Sequence, residues 1–173
     1  MTITKTCGFS GYRPSKLPFK NDEKSLACVH LKVLIYIETE AAIKNGYTHF
    51  ISGFALGSDT YFAEAVIALR KRYPEITLEA ALACETQADH WQEEDRDRYF
   101  GLLAKYDLET YVSRNYHKHC YLERNRYLVD RSQRLIAVFD GKFGGTMATV
   151  NRARAKNLEL VIIDPGTLQV TYE

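Results

Sequence analysis

Residues 135–146 read L-I-A-V-F-D-G-K-F-G-G-T, an unbroken apolar run followed by a glycine-rich turn. The apolar run, residues 135–139, is typical of a parallel strand that is buried on both faces of its sheet. A helix predicted from about residue 146 to residue 157 and a strand over residues 158–163 complete a strand–helix–strand unit. Such a unit predicts parallel strands that are joined by a crossover helix.

The same alternation of strand and helix extends along the rest of the chain. The other predicted strands cover residues 3–9, 48–52, 76–84, 108–112 and, as a short edge strand, 169–172. The other predicted helices cover residues 21–46, 60–73, 91–106 and 119–132. This pattern predicts an α/β fold, a Rossmann-like, mainly parallel sheet flanked by helices, in a single domain over residues 1–173.

The first predicted helix can be capped by residues 21–23, which read N-D-E. Its buried face is predicted from residues that recur at three-to-four spacing, namely Leu26, His30, Val33, Ile37 and Ala41. A flat helix face such as residues 26–41 also leaves room for a homo-oligomer.

Composition narrows the class of protein. The chain has 173 residues, with 23 Lys and Arg against 22 Asp and Glu, so its formal net charge is only +1. A general nucleic-acid binder usually carries an excess of positive charge, and we therefore do not expect nucleic acid as a partner. No apolar run approaches the roughly 20 residues of a membrane helix, and the first five residues lack a secretory pattern. Four widely spaced cysteines predict reduced thiols in a cytoplasmic protein.

The turn after the first strand, residues 8–14, reads G-F-S-G-Y-R-P. In open parallel sheets, ligands bind outside the carboxyl ends of the strands, where this turn lies. Ser10 and Gly11 lie within it, and glycine lets the backbone approach a ligand closely. Arg13 offers a planar set of donors that suits a phosphate or carboxylate. The alternative is a plain tight turn with a surface arginine.

The turn after the second strand, residues 52–59, reads S-G-F-A-L-G-S-D and leads into a helix, whose N-terminus can bind an anion. Ser52 and Gly53 begin this turn. We predict that Gly53 and Gly57 make room for a phosphate or ribose and that Asp59 binds hydroxyl groups. The alternative is that Ser58 or Asp59 only caps the helix.

The third turn, residues 140–146, follows the most apolar strand. Gly144, Gly145 and Thr146 can surround a phosphate with backbone N–H groups and a hydroxyl. The alternative is a flexible connection in which Thr146 is an N-cap. No G-x-G-x-x-G follows a strand and no G-x-x-x-x-G-K-[ST] is present, which argues against an ordinary dehydrogenase or P-loop ATPase.

Together with residues 124–132, which read R-N-R-Y-L-V-D-R-S, these three turns resemble the SLOG superfamily. That superfamily includes the Smf/DprA DNA-processing proteins and the Lonely Guy proteins, and the chain is most similar to its YpsA-like branch. The resemblance covers almost the whole chain. It implies a Rossmann-like sheet with a cleft for a nucleotide-like ligand of the NAD, ADP-ribose or nucleoside monophosphate class, with no cofactor required. It also favours entry of Arg124 or Asn125 into the cleft.

We predict that the chain binds such a ligand as a sensory or regulatory protein. The predicted ligand-binding residues are Ser10, Gly11, Arg13, Ser52, Gly53, Gly57, Ser58, Asp59, Arg124, Asn125, Gly144, Gly145 and Thr146. Two alternatives remain open, a nucleotide-cleaving hydrolase of the Lonely Guy type and a DprA-like module that binds single-stranded DNA.

Catalysis is less well supported than binding. Lonely Guy enzymes follow the Gly-Gly-Thr turn with a helix that carries a glutamate, whereas residues 147–150 here read M-A-T-V. We therefore predict binding with little or no hydrolysis. The carboxylates that an enzyme would have to use are Asp59, the strongest candidate, and Glu64, Glu85 and Asp140.

Three further features are candidate ligand contacts. Residues 117–120 read H-K-H-C, but no second cluster has zinc spacing, so we predict no metal site. Trp91 can stack on a base, close the cleft as a lid or simply pack in the core. Tyr12, Tyr61 and Tyr116 lie near the predicted turns and can bind a base or ribose.

Overall fold

Seven strands form one sheet in the computed structural model, which describes residues 4–173. They are β1 (Lys5–Gly11), β2 (Tyr47–Ser52), β3 (Thr77–Leu82), β4 (Leu108–Tyr111), β5 (Arg134–Val138), β6 (Glu159–Ile163) and β7 (Val170–Tyr172). Their spatial order is β4-β3-β2-β1-β5-β6-β7, and only β6 and β7 pair antiparallel. The predicted α/β class is confirmed. The predicted start of the first strand at Ile3 lies outside the described residues.

Five α-helices connect these strands: α1 (Leu26–Lys44), α2 (Ser58–Leu69), α3 (Glu93–Leu103), α4 (Cys120–Asp130) and α5 (Gly145–Ala155). A short 3-10 helix over Pro14–Lys16 follows β1. Helix α1 packs on α2 and α2 on α3, while α4 packs on α5. These contacts divide the helices into two groups.

The two groups cover opposite faces of the sheet, as neighbouring residues of β1 show. The Phe9 ring stacks on Phe62 of α2, with ring centroids 4.6 Å apart. Gly8, the preceding residue, packs against Leu128 of α4. Successive residues of a strand point to opposite faces, so α2 and α4 lie on different sides of β1. The central strand is therefore buried on both sides, and its carboxyl end is the natural place for a site.

The predicted buried face of α1 is wrong. Leu26, Val33 and Ile37 are 87%, 46% and 50% exposed, and His30 is also exposed. The face that packs on the sheet consists instead of Cys28, Leu31, Ile35, Glu38, Thr39, Ala42 and Ile43. Apolar residues occur on both sides of this helix, so a period of 3.6 residues fits two faces equally well. The exposed apolar residues of α1 are where substitutions would test the predicted homo-oligomer.

The start of α1 also differs from the prediction. Residues 21–23 lie in turns, and Ser25 is the N-cap, its hydroxyl accepting a hydrogen bond from the Cys28 N–H at 3.2 Å. Serine is a strong N-cap because it satisfies one of the free N–H groups of the first turn. The helix therefore begins at Leu26, several residues after the cap predicted at residues 21–23.

Two other expectations concern membrane spans and thiols. None of the helices within residues 4–173 is long and apolar enough to cross a membrane. The four cysteines, Cys7, Cys28, Cys84 and Cys120, are buried free thiols, as their wide spacing predicted.

Candidate functional site

A cleft of about 250 Å³ opens at the carboxyl end of β1. The turns after β1 and β2 and the first turns of α4 and α5 form its walls. Eight of the thirteen predicted residues line it: Ser10, Gly11, Arg13, Asp59, Arg124, Asn125, Gly145 and Thr146. The strand order therefore brings together all three glycine-rich turns and the start of α4, which are far apart in sequence.

The other five predicted residues lie outside the lining of the cleft. They are Ser52, Gly53, Gly57, Ser58 and Gly144. Ser52 is fully buried, and its hydroxyl donates to the Asp59 carbonyl and accepts from the Phe54 N–H, both at 3.2 Å. Its contacts shape the second turn rather than face the cleft.

Gly53 makes room for the Arg124 guanidinium. Its carbonyl accepts a hydrogen bond from Arg124 Nη1 at 2.7 Å, and a Cβ atom at this position would overlap that nitrogen. Arg124 Nη1 also reaches the Ala81 carbonyl at 3.4 Å, and Nε donates to Asn125 Oδ1 at 2.9 Å. The backbone of the sheet thus fixes Arg124 at the base of the cleft.

Arg124 and Asp59 are buried charges of opposite sign, each only 5% exposed. Burial raises the pKa of Asp59, and the nearby charge of Arg124 partly opposes this effect. Burial lowers the pKa of Arg124, which Asp59 partly opposes in turn. Asp59 Oδ2 accepts from the Ala55 N–H at 3.2 Å. Arg124 Nη2 makes no hydrogen bond to any of residues 4–173, so this buried cation retains donor capacity toward the cleft.

Gly57 and Ser58 join the first two turns. The Ser58 N–H and hydroxyl both donate to the Tyr12 carbonyl, at 3.2 Å and 2.7 Å. Gly57 has φ +83°, and a Cβ atom there would lie 2.9 Å from both the Tyr12 carbonyl oxygen and Pro14 Cδ. The Tyr12 carbonyl thus occupies the start of α2, where the sequence suggested a ligand.

The start of α5 is open to the cleft. Its N-cap is Gly144, which has no side chain to bond the first N–H groups of the helix. Gly145 and Thr146 line the cleft. The first N–H groups of a helix lack intrahelical partners and lie at the positive end of its dipole. Ser10, 8% exposed, faces the same cleft, and its hydroxyl bonds no residue in the described range. These groups together can donate to an anion.

Lys16 is a contact that the sequence did not single out. Its Nζ lies 5.3 Å from the centre of the Tyr12 ring and 3.4 Å from the Phe143 carbonyl oxygen. A Cβ atom at Gly144 would overlap this ammonium group, so Gly144 makes room for Lys16. Lys16 follows Arg13 by three residues, and the short helix over Pro14–Lys16 turns both toward the cleft.

Tyr121 is the second contact that the sequence did not indicate. The Arg13 guanidinium lies over its ring, 4.9 Å from the centroid, and the Arg124 guanidinium is 5.7 Å away. Tyr121 precedes Arg124 by three residues, and residues at this spacing share a helix face. That spacing is the signal in the sequence that could have revealed it.

The aromatic residues proposed from sequence lie in different surroundings. Tyr12 lines the cleft, is buried, and donates its hydroxyl proton to Asp140 Oδ1. Trp91 packs edge-on against Tyr99 with centroids 5.1 Å apart, away from the cleft lining. Tyr61 is buried in the core, and Tyr116 is 66% exposed. Of these, only Tyr12 lines the cleft.

Among the four candidate carboxylates, only Asp59 lines the cleft. Glu64 accepts from Arg98 Nε at 2.8 Å, and Glu85 lies 3.7 Å from Arg114. Asp140 accepts from the Tyr12 hydroxyl and from Lys142 Nζ. The cleft therefore combines three cations, Arg13, Lys16 and Arg124, with one carboxylate, a balance that favours an anionic ligand.

The H-K-H-C segment shows no metal-binding arrangement. Cys120 is fully buried, and His117 Nε2 lies 3.3 Å from Glu123 Oε2. Within residues 4–173, no three His, Cys, Asp or Glu side chains are grouped so as to hold a metal ion.

Comparison with known proteins gives a family match over most of the chain. The model of the YspA SLOG family matches residues 7–165. A UPF0398 protein of Bacillus pumilus (strain SAFR-032) is 28% identical over 145 residues, which cover 82% of this chain and 77% of the relative. A UPF0398 protein of Bacillus cereus (strain B4264) is 26% identical over 163 residues, covering 90% and 85%.

Two solved structures share the fold. DNA processing protein A from Helicobacter pylori, which binds single-stranded DNA, aligns with a TM-score of 0.62 and 17% identity, over 92% of this chain and 65% of that chain. DNA processing protein A from Streptococcus pneumoniae aligns with a TM-score of 0.58 and 17% identity, over 93% and 50%. The chain thus spans half to two thirds of these proteins, and the likeness concerns the fold.

Proposed function

Because the chain belongs to the YspA SLOG family, as the motifs of its turns predicted, we propose that it binds a nucleotide through its phosphate in the cleft beside β1. The main support for this proposal is the environment of Arg124. Its guanidinium is buried and is held by backbone carbonyls, and its Nη2 has no hydrogen-bond partner among residues 4–173. Asp59 offsets this buried charge only in part, and a buried cation is costly unless it is compensated. A bound phosphate would compensate for this charge.

The phosphate has several donors available in addition to Arg124. Gly145 and Thr146, at the start of α5, line the cleft, and the first N–H groups of a helix have no intrahelical partners. The Ser10 hydroxyl also lacks a partner in the described range. Arg13 and Lys16 add two exposed cations at the rim. Anions bind readily where helix N–H groups and basic side chains meet.

The cleft offers the nucleoside an aromatic ring to pack against and a carboxylate that can accept a hydrogen bond. Tyr121 offers a half-buried ring on which a base or ribose can pack once Arg13 turns toward the phosphate. Asp59 has one carboxylate oxygen held by Ala55 and can accept from a ribose hydroxyl with the other. A cleft of about 250 Å³ lies just below the roughly 300–1,000 Å³ of drug-sized ligand pockets and suits a nucleoside monophosphate.

Arg13→Ala is expected to weaken AMP binding by about 1.5–3 kcal/mol, the usual contribution of a charged hydrogen bond, without unfolding the protein. Calorimetric titration with AMP measures this loss. The matched control is Arg126→Ala, because Arg126 is an exposed arginine of α4 outside the cleft lining, and it should leave affinity unchanged. Equal AMP affinities in Arg13→Ala and the wild type would remove Arg13 from the site.

The shortage of carboxylates in the cleft supports a sensory or regulatory role. Cleavage of a glycosidic bond usually relies on two positioned carboxylates, whereas Asp59 is the one carboxylate among the described residues that line this cleft, and burial raises its pKa. Incubation with AMP, NAD and ADP-ribose should therefore release no free base and no ribose 5-phosphate above the buffer control. Steady turnover near ~1 s⁻¹ that disappears in Asp59→Asn would establish the enzyme instead.

Single-stranded DNA is the second candidate ligand, because the fold is similar to that of the DNA-binding protein from Helicobacter pylori. The formal net charge of +1 argues against it, since phosphate contacts supply much of the affinity for DNA. An electrophoretic shift with a single-stranded oligonucleotide at low and moderate salt separates the two. Our proposal predicts no shift of the oligonucleotide at moderate salt. If the oligonucleotide binds weakly at low salt, AMP should displace it.

A further inference from the structure

A second cavity of about 290 Å³ adjoins the cleft. Its lining residues are Tyr12, Lys16, Lys20, Asp140, Lys142 and Phe143. Tyr12 and Lys16 also line the cleft, so the two spaces share a wall. The sequence offered no reason to expect this neighbour, because it forms between the third turn and the segment after β1.

The second cavity carries an excess of positive charge. Lys142 lies 3.0 Å from Asp140 Oδ2, which neutralises one lysine. Lys20 Nζ donates to the Ser15 carbonyl at 2.6 Å, and Lys16 Nζ contacts the Phe143 carbonyl. Neither Lys16 nor Lys20 has a carboxylate within ion-pair distance among residues 4–173, so both remain available to a phosphate.

Phe143 presents an aromatic ring to solvent beside these lysines. It is 91% exposed, more than any other large apolar residue of the described chain. An exposed ring next to unpaired cations matches the chemistry of nucleotide binding, in which a base stacks on an aromatic side chain and basic groups bind the phosphate. A second base is therefore a suitable occupant of this cavity.

Lys16 lies at the junction of the two spaces. Its ammonium sits against Gly144, at the start of α5, and over the Tyr12 ring that both cavities share. A phosphate held by the first N–H groups of α5 would thus be next to Lys16, and Lys16 and Lys20 line the same second cavity. Each cavity alone is below the usual size of a ligand pocket, but the two together fall within that range.

We propose that the ligand is a dinucleotide joined by a pyrophosphate, with one nucleoside in the cleft and the other over Phe143. The inference rests on the proposed nucleotide function and narrows it, since the sequence left mononucleotides and dinucleotides as alternatives. Lys16 and the start of α5 hold the pyrophosphate, and Lys20 and Phe143 form the second subsite.

The test compares AMP, ADP and diadenosine diphosphate by calorimetric titration. We expect ADP to bind more tightly than AMP, and diadenosine diphosphate to bind at least about tenfold more tightly than ADP through the second base. The double variant Lys20→Ala/Phe143→Ala should lose the advantage of diadenosine diphosphate over ADP and leave AMP affinity unchanged. Lys24→Ala/Phe100→Ala is the matched control, because Lys24 and Phe100 are exposed and lie outside both linings.

The outcomes separate this inference from the proposed function. If AMP binds and diadenosine diphosphate binds no more tightly than ADP, the second subsite is wrong and the proposed function stands. The same holds if the double variant keeps the full advantage of diadenosine diphosphate. If none of the three compounds binds, the proposed function fails and this inference fails with it.

Discussion

Replacing Gly57 with valine is expected to lower the free energy of unfolding by about 2–6 kcal/mol. The backbone at Gly57, with φ +83° and ψ −125°, is one that L-residues rarely adopt, and such a conformation costs about 1–3 kcal/mol. The new side chain would also press on the Tyr12 carbonyl and Pro14, and such overpacking costs about 1–3 kcal/mol. Because Ser58 would be pulled away from Tyr12, the first turn should shift and nucleotide binding should be lost.

Gly46→Val is the control for Gly57→Val. Gly46 has φ +88°, yet a Cβ atom there meets nothing within 4 Å, so valine should cost only the backbone penalty. Thermal unfolding followed by circular dichroism compares the two variants, and titration with AMP reports the site. Equal losses of stability in both variants would show that the contact with the first turn is unimportant. If Gly57→Val binds AMP as tightly as the wild type does, the contact between Gly57 and the first turn is unimportant for AMP binding.

Arg124→Met is expected to weaken AMP binding at least about 100-fold, equivalent to about 2.8 kcal/mol. The change removes the buried cation that would bind the phosphate, whereas the Asp59 carboxyl group stays in the cleft lining. It also removes the hydrogen bonds from Arg124 to the Gly53 and Ala81 carbonyls, but Gln87 Nε2 still donates to the Gly53 carbonyl at 3.0 Å, so we expect a loss of stability of about 0.5–1.5 kcal/mol. The pKa of Asp59 should rise further, because Arg124 no longer opposes the effect of burial.

Arg124→Lys distinguishes charge from geometry. Lysine keeps the charge but lacks the planar fork that reaches Gly53, Ala81 and Asn125 together, so AMP affinity should fall between those of Arg124→Met and the wild type. Thermal unfolding of both variants shows whether they are folded at the titration temperature. A folded Arg124→Met that binds AMP as the wild type does would remove the main support for the phosphate site.

The order of strands and helices could be predicted from sequence because each segment carries its own local pattern. Residues 135–139 predicted a strand buried on both faces, and β5 (Arg134–Val138) lies between β1 and β6. Glycine-rich turns and Pro74 separated most elements within a few residues of their observed bounds. Parallel strands place these turns at one sheet edge, and this is why three distant turns could be assigned to one site.

Other features depend on packing partners that the sequence does not reveal. The face of α1 was assigned wrongly because Leu31 and Val33 are equally apolar, and only the position of the sheet decides between them. The sequence predicts that Gly53 and Gly57 make room for a ligand, whereas in the structure Arg124 fills the space at Gly53 and the Tyr12 carbonyl fills the space at Gly57. The spacing of Tyr121 and Arg124 on α4 indicates a shared helix face, but the sequence does not show that Arg13, from a distant segment, lies over the Tyr121 ring.

The central position of β1 has a consequence for how the chain folds as it is synthesised. One edge of β1 pairs with β2. The other edge pairs with β5, in which Arg134 is the partner of Cys7, and β5 is synthesised much later than β2. A growing chain therefore carries an unpaired apolar strand edge until most of it has left the ribosome, and such edges attract other chains. The cleft is complete only when Gly145 and Thr146 have emerged, so the proposed nucleotide would stabilise the folded protein but not a nascent chain that ends before these residues.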